Sequence, residues 1–302
     1  MKVLPIVHNP AYVADFPSDH RFPMGKFGRL ADLLLQDGLV APGAFHEPAA
    51  APAEWIALAH DRTYVDQVLS AQVPVKIARE IGFPMTESVA RRSRTASAGT
   101  LITARLALEH GIACNTAGGS HHARRTHGSG FCVFNDVAVA ASVLLADGEI
   151  DRALVIDLDV HQGDGTADIF KTEPRVYTFS MHAEKNFPVR KVPSDWDVGL
   201  PDGLGDQGYL KALGEHLPHV LEQSEPELVF YNAGVDVHQE DRLGRLALSD
   251  AGIEARDRFV LTTLKDAGVP AACVIGGGYM SDVDRLARRH SIIHRVASDI
   301  IC

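Results

Sequence analysis

The apolar run Ala153-Leu154-Val155-Ile156 leads straight into Asp157-Leu158-Asp159-Val160-His161-Gln162-Gly163-Asp164-Gly165. In an extended backbone, side chains at i, i+2 and i+4 share one face, so Asp157, Asp159 and His161 point the same way. Two carboxylates and an imidazole gathered at a strand end repel one another or stay unsatisfied unless something neutralises them. A cation is the simplest neutraliser, and a set of oxygen and nitrogen donors without thiolate suits Zn²⁺, Fe²⁺ or Mn²⁺. The competing explanation is a polar turn that caps a helix at Asp164. It accounts for Asp164 but not for the other two carboxylates beside a histidine.

Three further clusters carry reactive side chains. Asp236 follows the apolar run Leu228–Tyr231 in Asn232-Ala233-Gly234-Val235-Asp236-Val237-His238. It can supply a third ligand, and three protein ligands leave a position open for water, the mark of a catalytic site. Alone, such an aspartate is more often a turn residue or a cap. Gly118-Gly119-Ser120-His121-His122 follows Ile112–Asn115 and runs on to Gly130-Phe131-Cys132, where Phe131 can line a pocket. Read alone, a histidine pair is more often core or surface than functional. Gly276-Gly277-Gly278-Tyr279 follows Ala271–Ile275. Three glycines let a loop pass close to a ligand, with one phenol at its end, or they make a flexible turn with a packed tyrosine.

These clusters need elements to position them. Short apolar runs at Val3–Val7, Ile112–Asn115, Ala153–Leu158, Val176–Ser180, Leu228–Asn232 and Ala271–Ile275 predict strands buried on both faces of a parallel sheet. Helical spacing over Ser93–Glu109, Asp136–Ala146, Tyr209–Glu222, Asp250–Asp266 and Asp282–Ser298 fills the gaps. The Ala-, Pro- and Gly-rich stretch Gln36–Pro52 is expected to be a surface loop. Alternating strands and helices predict one three-layer α/β/α domain over 1–302, with right-handed crossovers. All four clusters then fall at carboxyl ends of strands, where such sheets place their sites.

The chain has 302 residues, 46% hydrophobic and 23% charged, with a formal net charge of −10. That acidity argues against direct nucleic-acid binding, which needs Lys and Arg to neutralise phosphates. The four cysteines form no C-x-x-C pair, so a thiolate zinc knuckle is not expected, and Cys114, Cys132 and Cys273 lie in apolar runs as free thiols do in a reducing compartment. The N-terminal apolar run is short and broken by Pro5, unlike a signal peptide. No stretch approaches the length of a membrane span. A cytoplasmic enzyme without membrane contact is expected.

Taken together, the histidine loop, Gly130-Phe131-Cys132, the Asp157–Gly165 run, Gly-Val-Asp236 and Gly-Gly-Gly-Tyr279 resemble the histone deacetylase superfamily. That superfamily has the arginase/deacetylase fold and includes acetoin-utilisation proteins and acetylpolyamine amidohydrolases. The motifs occur in the family's order from Thr100 onward. Arg79-Glu80-Ile81-Gly82-Phe83-Pro84 resembles class IV-like bacterial members. The resemblance implies an eight-stranded parallel sheet and a divalent ion, Zn²⁺ or in the cell Fe²⁺, on Asp159, His161 and Asp236. It pairs His121 with Asp157 and His122 with Asp164. It also implies a structural K⁺ at Asp157, Asp159, His161, Ser180 and Met181. Substrate would be bound by Gly130, Phe131, Phe187, Gly277 and Gly278, the two phenylalanines flanking an acyl-lysine channel.

The implied reaction is hydrolysis of an N-acyl amide by metal-activated water. His122 is the candidate base, His121 an electrostatic partner, and Tyr279 the donor to the oxyanion. Two features depart from the family. Lys26 stands where many members carry an arginine at the base of an acetate-release cavity. No aspartate precedes Gly82-Phe83-Pro84 as a peptide clamp, Glu80 being the nearest carboxylate. The substrate is therefore either acyl-lysine in a peptide or protein, or a small N-acyl amine such as an acetylpolyamine. A non-catalytic acyl-group reader would have lost a ligand, a histidine or the tyrosine, and none is missing. His238 raises the further possibility of a second, arginase-like metal, although the additional bridging carboxylates are not evident.

Overall fold

The computed structural model describes residues 3–17 and 20–301. Met1, Lys2 and Cys302, which entered the reading of the N-terminus and the cysteines, lie outside the described residues.

Strand β1 (Ile6–Val7) is followed by helices α1 (Lys26–Gln36), α2 (Ala53–Ala59), α3 (Arg62–Leu69), α4 (Val75–Ile81) and α5 (Glu87–His110). Then come β2 (Ile112–Asn115), α6 (Asp136–Asp147), β3 (Ala153–Asp157), α7 (Asp164–Phe170), β4 (Val176–Ala183) and β5 (Trp196–Leu200). The chain closes with α8 (Asp206–Ser224), β6 (Leu228–Asn232), α9 (Asp250–Asp266), β7 (Ala271–Val274) and α10 (Val283–Ile301). The strands form one parallel sheet in the order β1-β2-β7-β6-β3-β4-β5. Helices α2, α5 and α6 pack together as one layer, and α1, α8, α9 and α10 as the other. The three-layer expectation therefore agrees with the structure.

The local causes are plain. Helix α5 begins at Thr86, whose hydroxyl accepts from Val89 N–H, and stops at Gly111. Its buried Ala90, Ala96, Ala98, Ala104 and Ala107 leave room for α6 and the sheet to approach closely. Leu101 is wholly buried there, and Leu101→Ala would cost about 2–5 kcal/mol. Central strands β3 and β6 are buried at every residue, as a sheet covered on both faces requires.

The sheet has seven strands among the described residues, not the eight that the family resemblance implies. Beyond β1, the outer position holds a single parallel bridge, Val7 to His46, with His8 N–H to His46 O at 3.1 Å and His46 N–H to Ile6 O at 3.0 Å. Pro42, Pro48 and Pro52 flank that bridge, and proline cannot donate to a ladder. Val3–Val7 accordingly shortens to Ile6–Val7, while β5 is a partly exposed edge strand whose alternating pattern differs from the buried runs.

Candidate active site

Strand β3 ends at Asp157, one residue earlier than expected, and the backbone then turns. Asp159 N–H bonds to Asp157 Oδ1 at 3.2 Å, and His161 N–H to Asp159 Oδ1 at 3.0 Å. The three side chains therefore do not form one extended face. Asp157 joins His121, whereas Asp159 and His161 join Asp236 from the β6–α9 connection. Ligand atoms of Asp159, His161 and Asp236 lie within 4.8 Å of one another, all buried. His161 Nδ1 is 3.0 Å from Asp159 Oδ1 and 3.2 Å from Asp236 Oδ2.

Backbone donors aim these carboxylates. Val160 N–H donates to Asp236 Oδ1 at 2.9 Å, and Gly277 N–H to Asp159 Oδ2 at 2.7 Å. Asp236 Oδ2 is buried without a hydrogen bond of its own, because His161 Nδ1, 3.2 Å away, bonds Asp159 Oδ1 instead. Burial and the neighbouring Asp159 push the Asp236 carboxyl up to about 7. Burial opposes charge on His161, yet Asp159 and Asp236 outweigh it and hold the imidazole at about 10. The cluster draws positive charge, and an orphaned carboxylate oxygen beside an imidazole and a second carboxylate fits a divalent ion.

Two His–Asp pairs stand beside it. His121 Nδ1 is 2.7 Å from Asp157 Oδ2, and His122 Nδ1 is 2.6 Å from Asp164 Oδ1. Arg124, which sequence reasoning passed over, donates to Asp164 Oδ2 through Nη2 at 2.6 Å and Nε at 3.1 Å. Burial lowers His122 to about 4, with His121 adding to the effect. Burial also opposes charge on His121, but Asp157 and Asp159 prevail and raise it to about 9. The adjacent histidines are thus driven to opposite states.

A cavity of about 260 Å³ opens over this floor, lined in part by His122, His161, Tyr279, Gly130, Phe131 and Phe187. The Phe187 ring stands 4.8 Å from His122, and the Phe131 ring 5.8 Å from Tyr279. Gly277 and Gly278, expected at the channel, are not among the residues lining this cavity and pack against the acidic cluster and α10. A Cβ on Gly277 would fall 2.0 Å from Asp236 Oδ2, and one on Gly278 2.8 Å from His290 Nε2. Lys26 is buried beneath the same turn, where burial lowers it to about 8, and donates to Gly276 O at 3.2 Å and Gly278 O at 3.4 Å. His238 faces Asp250 at 3.5 Å and is outside the triad.

Residues assigned to K⁺ come together at the ends of β3 and β4, where Asp157 pairs with Ser180 and Met181 follows. Asp157 already accepts from His121, Asn232 and Asp159 N–H, and Ser180 Oγ bonds His182.

The supporting residues were harder to find. Asp136 accepts from Gly119 N–H, Ser120 N–H and Thr100 Oγ1, fixing the histidine loop. Gly119 has φ +88°, and a Cβ there would meet Asn232 Oδ1 at 2.5 Å. Arg256 Nη1 donates to Leu158 O at 3.2 Å and Gly234 O at 2.7 Å, the carbonyls leading into both ligand segments. Its sequence signal is a charged pair, Arg256-Asp257, on a helix face otherwise made of Ile253, Val260, Leu261 and Leu264.

The parallel sheet thus gathers a buried Asp-His-Asp cluster, able to hold a cation, and two His–Asp pairs beneath an aromatic-walled cleft. Residues 20–293 match the family model of the histone deacetylase domain, and the chain belongs to the histone deacetylase family. It is 51% identical over 296 residues to an uncharacterised protein of Picosynechococcus sp., covering 98% of this chain and 99% of that relative. It is 31% identical to histone deacetylase 2 of Arabidopsis thaliana, over 88% of this chain and 71% of that protein. A probable deacetylase of Methanothermobacter thermautotrophicus is 29% identical over 94% of this chain and 87% of its own length. The fold is shared with the crystal structure of the HDA15 HD domain, at TM-score 0.81 and 21% identity, covering 99% of this chain and 88% of that one. The chain is thus a hydrolase of the deacetylase type. Among the described residues, no helix is long and apolar enough to cross a membrane.

Proposed function

We propose that this chain is a zinc-dependent deacylase that hydrolyses the N-acyl amide of acyl-lysine. The observation that carries the reading is the orphaned Asp236 Oδ2 within the Asp159–His161–Asp236 cluster, at the floor of a cleft that His122 and Tyr279 also line. Asp159, His161 and Asp236 would hold Zn²⁺, or Fe²⁺ as the second candidate, which when bound would supply Lewis acidity for the acyl carbonyl and for water.

The chain's own groups do the rest. His122 donates Nδ1–H to Asp164, which leaves Nε2 as the basic nitrogen. Held neutral by burial, His122 takes the proton from the attacking water and returns it to the amine as the C–N bond breaks. Asp164, gripped by Arg124, fixes the tautomer. His121 stays protonated against Asp157 and Asp159 and offsets negative charge as the tetrahedral carbon forms. The Tyr279 hydroxyl donates to the oxyanion. The Phe131 and Phe187 rings cover the aliphatic stem and exclude water. Products are a carboxylate and a free amine. The free, buried Cys114, Cys132 and Cys273 suit a reducing compartment, and we place the enzyme in the cytoplasm.

The second reading is a small-amide amidohydrolase acting on acetylpolyamines. It is favoured by the lack of an aspartate ahead of Gly82-Phe83-Pro84. The deciding experiment loads the purified protein with zinc and assays acyl-lysine peptides from acetyl to long-chain, beside acetylpolyamines. Turnover of an acyl-lysine that is removed by Asp236→Asn supports the first reading. Turnover of acetylpolyamines alone installs the second.

A further inference from the structure

The walls of the cleft lead to a mouth whose charge runs against that of the chain. Arg21 and Arg79 line it, with Glu80 as the carboxylate among the lining residues. A neighbouring depression shares Arg21 and adds Arg242. Of the acidic residues nearby, Asp241 is turned to backbone donors, while Glu80 stays at the mouth as one carboxylate against two arginines. Asp241 accepts from Tyr279 N–H at 2.7 Å, Leu243 N–H at 2.8 Å and Gly244 N–H at 3.1 Å. Glu80 approaches His127 Nε2 at 3.8 Å. In a chain of formal net charge −10, a mouth carrying arginines on two separate segments is a local inversion of sign.

The arginines also stand at a defined depth. The Arg21 guanidinium carbon lies 4.8 Å from the centre of the Phe131 ring, so the cation sits on the channel wall itself. Arg79 is in the last turn of α4. Its neighbours Glu80 and Ile81 accept from Gly130 N–H at 3.0 Å and Phe131 N–H at 2.7 Å. Arg79 thus adjoins the backbone that holds Gly130 and Phe131 in the same wall. Phe131, in turn, is one ring away from Tyr279. An acylated lysine whose amide reaches the floor has a four-carbon stem along these rings, and its Cα and adjoining groups emerge among the guanidinium groups.

We propose that the natural substrate carries a carboxylate next to the acylated lysine stem, bound at the mouth by Arg21 and Arg79. This rests on the deacylase reading and narrows its substrate class. Guanidinium presents a fork of N–H donors matched to a carboxylate, whereas a polyamine would bring its second ammonium group against two arginines. The carboxylate comes either from the α-carboxyl of a free or C-terminal acyl-lysine or from an acidic side chain beside it in a peptide.

Two matched pairs test this with the zinc-loaded full chain: N-capped Nε-acetyl-lysine against its carboxamide, and a capped peptide with glutamate after acetyl-lysine against the same peptide with glutamine. The expected result is that at least one acidic member exceeds its neutral partner about tenfold in kcat/KM, through KM. The pair that responds identifies the source of the carboxylate. The difference should shrink with added salt, vanish in the Arg21→Gln/Arg79→Gln double variant, and persist in the distant surface variant Lys211→Gln. Equal rates within both pairs, or a preference that survives the double variant, overturn the proposal while leaving the deacylase reading intact. If neither pair is hydrolysed, the same pairs are made with the acyl chain that the chain-length assay selects; if no acyl-lysine of any length is turned over, the deacylase reading falls, and calorimetric binding of the same ligands judges the mouth on its own. Tighter binding of an acidic member, lost in the double variant, upholds the carboxylate site; equal or absent binding removes it.

Discussion

Gly277→Ala is the smallest change that tests how the proposed metal ligands are held. The added Cβ would lie 2.0 Å from Asp236 Oδ2 and 2.6 Å from Asp159 Oδ2, whereas real Cβ atoms essentially never approach closer than 3.0 Å. The Asp236 oxygen must therefore retreat by at least 3.0 − 2.0 = 1.0 Å, or the glycine turn must move away by as much. Metal–ligand distances tolerate only about 0.2 Å, so the displacement is about five times what the site accepts. Asp236 cannot swing freely either, because its other oxygen holds Val160 N–H. A misplacement of about 1 Å near a reacting centre costs on the order of 10²-fold in rate, and loss of a ligand's proper seat weakens metal binding by roughly 10–100-fold or more. The assay is zinc content after dialysis against a graded chelator, followed by turnover at saturating zinc. Zinc retention and turnover both within threefold of wild type would refute the geometry on which the triad rests.

Three further outcomes follow from other parts of the structure. Tyr279→Phe should retain zinc yet lose about 10²–10³-fold in kcat, measured on the best acyl substrate; an unchanged kcat removes the phenol from the reaction. Arg256→Met strands the buried Asp257 and frees the Leu158 and Gly234 carbonyls, so urea unfolding should show a loss of about 3–5 kcal/mol; a loss under 1 kcal/mol contradicts the assigned role. His60 is neutral in the fold, its Nε2 accepting Asn135 N–H at 2.9 Å and its Nδ1 bonding Arg124 O at 2.8 Å, and burial lowers it to about 4. The unfolded chain binds a proton at pH 6.5 and below while the folded chain does not, so this stability is complete above about 6.5 and is lost as pH falls toward 4. The loss by pH 5 is roughly 2 kcal/mol, and the pH slope of unfolding in His60→Gln should be shallower by that amount; identical slopes would refute it.

The chemistry was legible because it is concentrated in short runs. Asp159 and His161 are two residues apart, His121 and His122 adjacent, and each run directly follows a strand. Parallel-sheet strands declare themselves by continuous apolar character, and six of the seven were visible in that way. The edge strand β5 was not, because its burial alternates and Trp196-Asp197-Val198-Gly199-Leu200 lacks an apolar run. The short helices α2, α3 and α4 escaped notice because they span only 7, 8 and 7 residues, too few for a periodic pattern to stand out. The strand rule itself misled at Asp157. It assumed that the extended backbone continued, whereas the chain turns at Leu158 and sends Asp157 to His121.

What sequence reasoning missed has a common physical character. Asp136, Asn232 and Arg256 are buried polar residues whose partners, apart from the adjacent Arg256–Asp257 pair, are backbone groups or side chains 16 to 111 positions away. Nothing local distinguishes Asp136 from an ordinary residue in a helix's first turn. Only the folded chain brings it to the amides of Gly119 and Ser120. The same separation explains the two opposed charge fields of the cleft. Its floor gathers Asp157, Asp159, Asp164 and Asp236 from two loops and draws a cation, while its mouth gathers Arg21 and Arg79 from N-terminal segments that carry no reactive motif. A substrate with a neutral amide and an outer carboxylate satisfies both fields at once. An acetylpolyamine satisfies only the inner field, since its amide would reach the floor while its remaining ammonium groups would face the arginines outside. The distribution of charge along the cleft, rather than the acidic floor alone, is therefore where selection among N-acyl substrates should be sought.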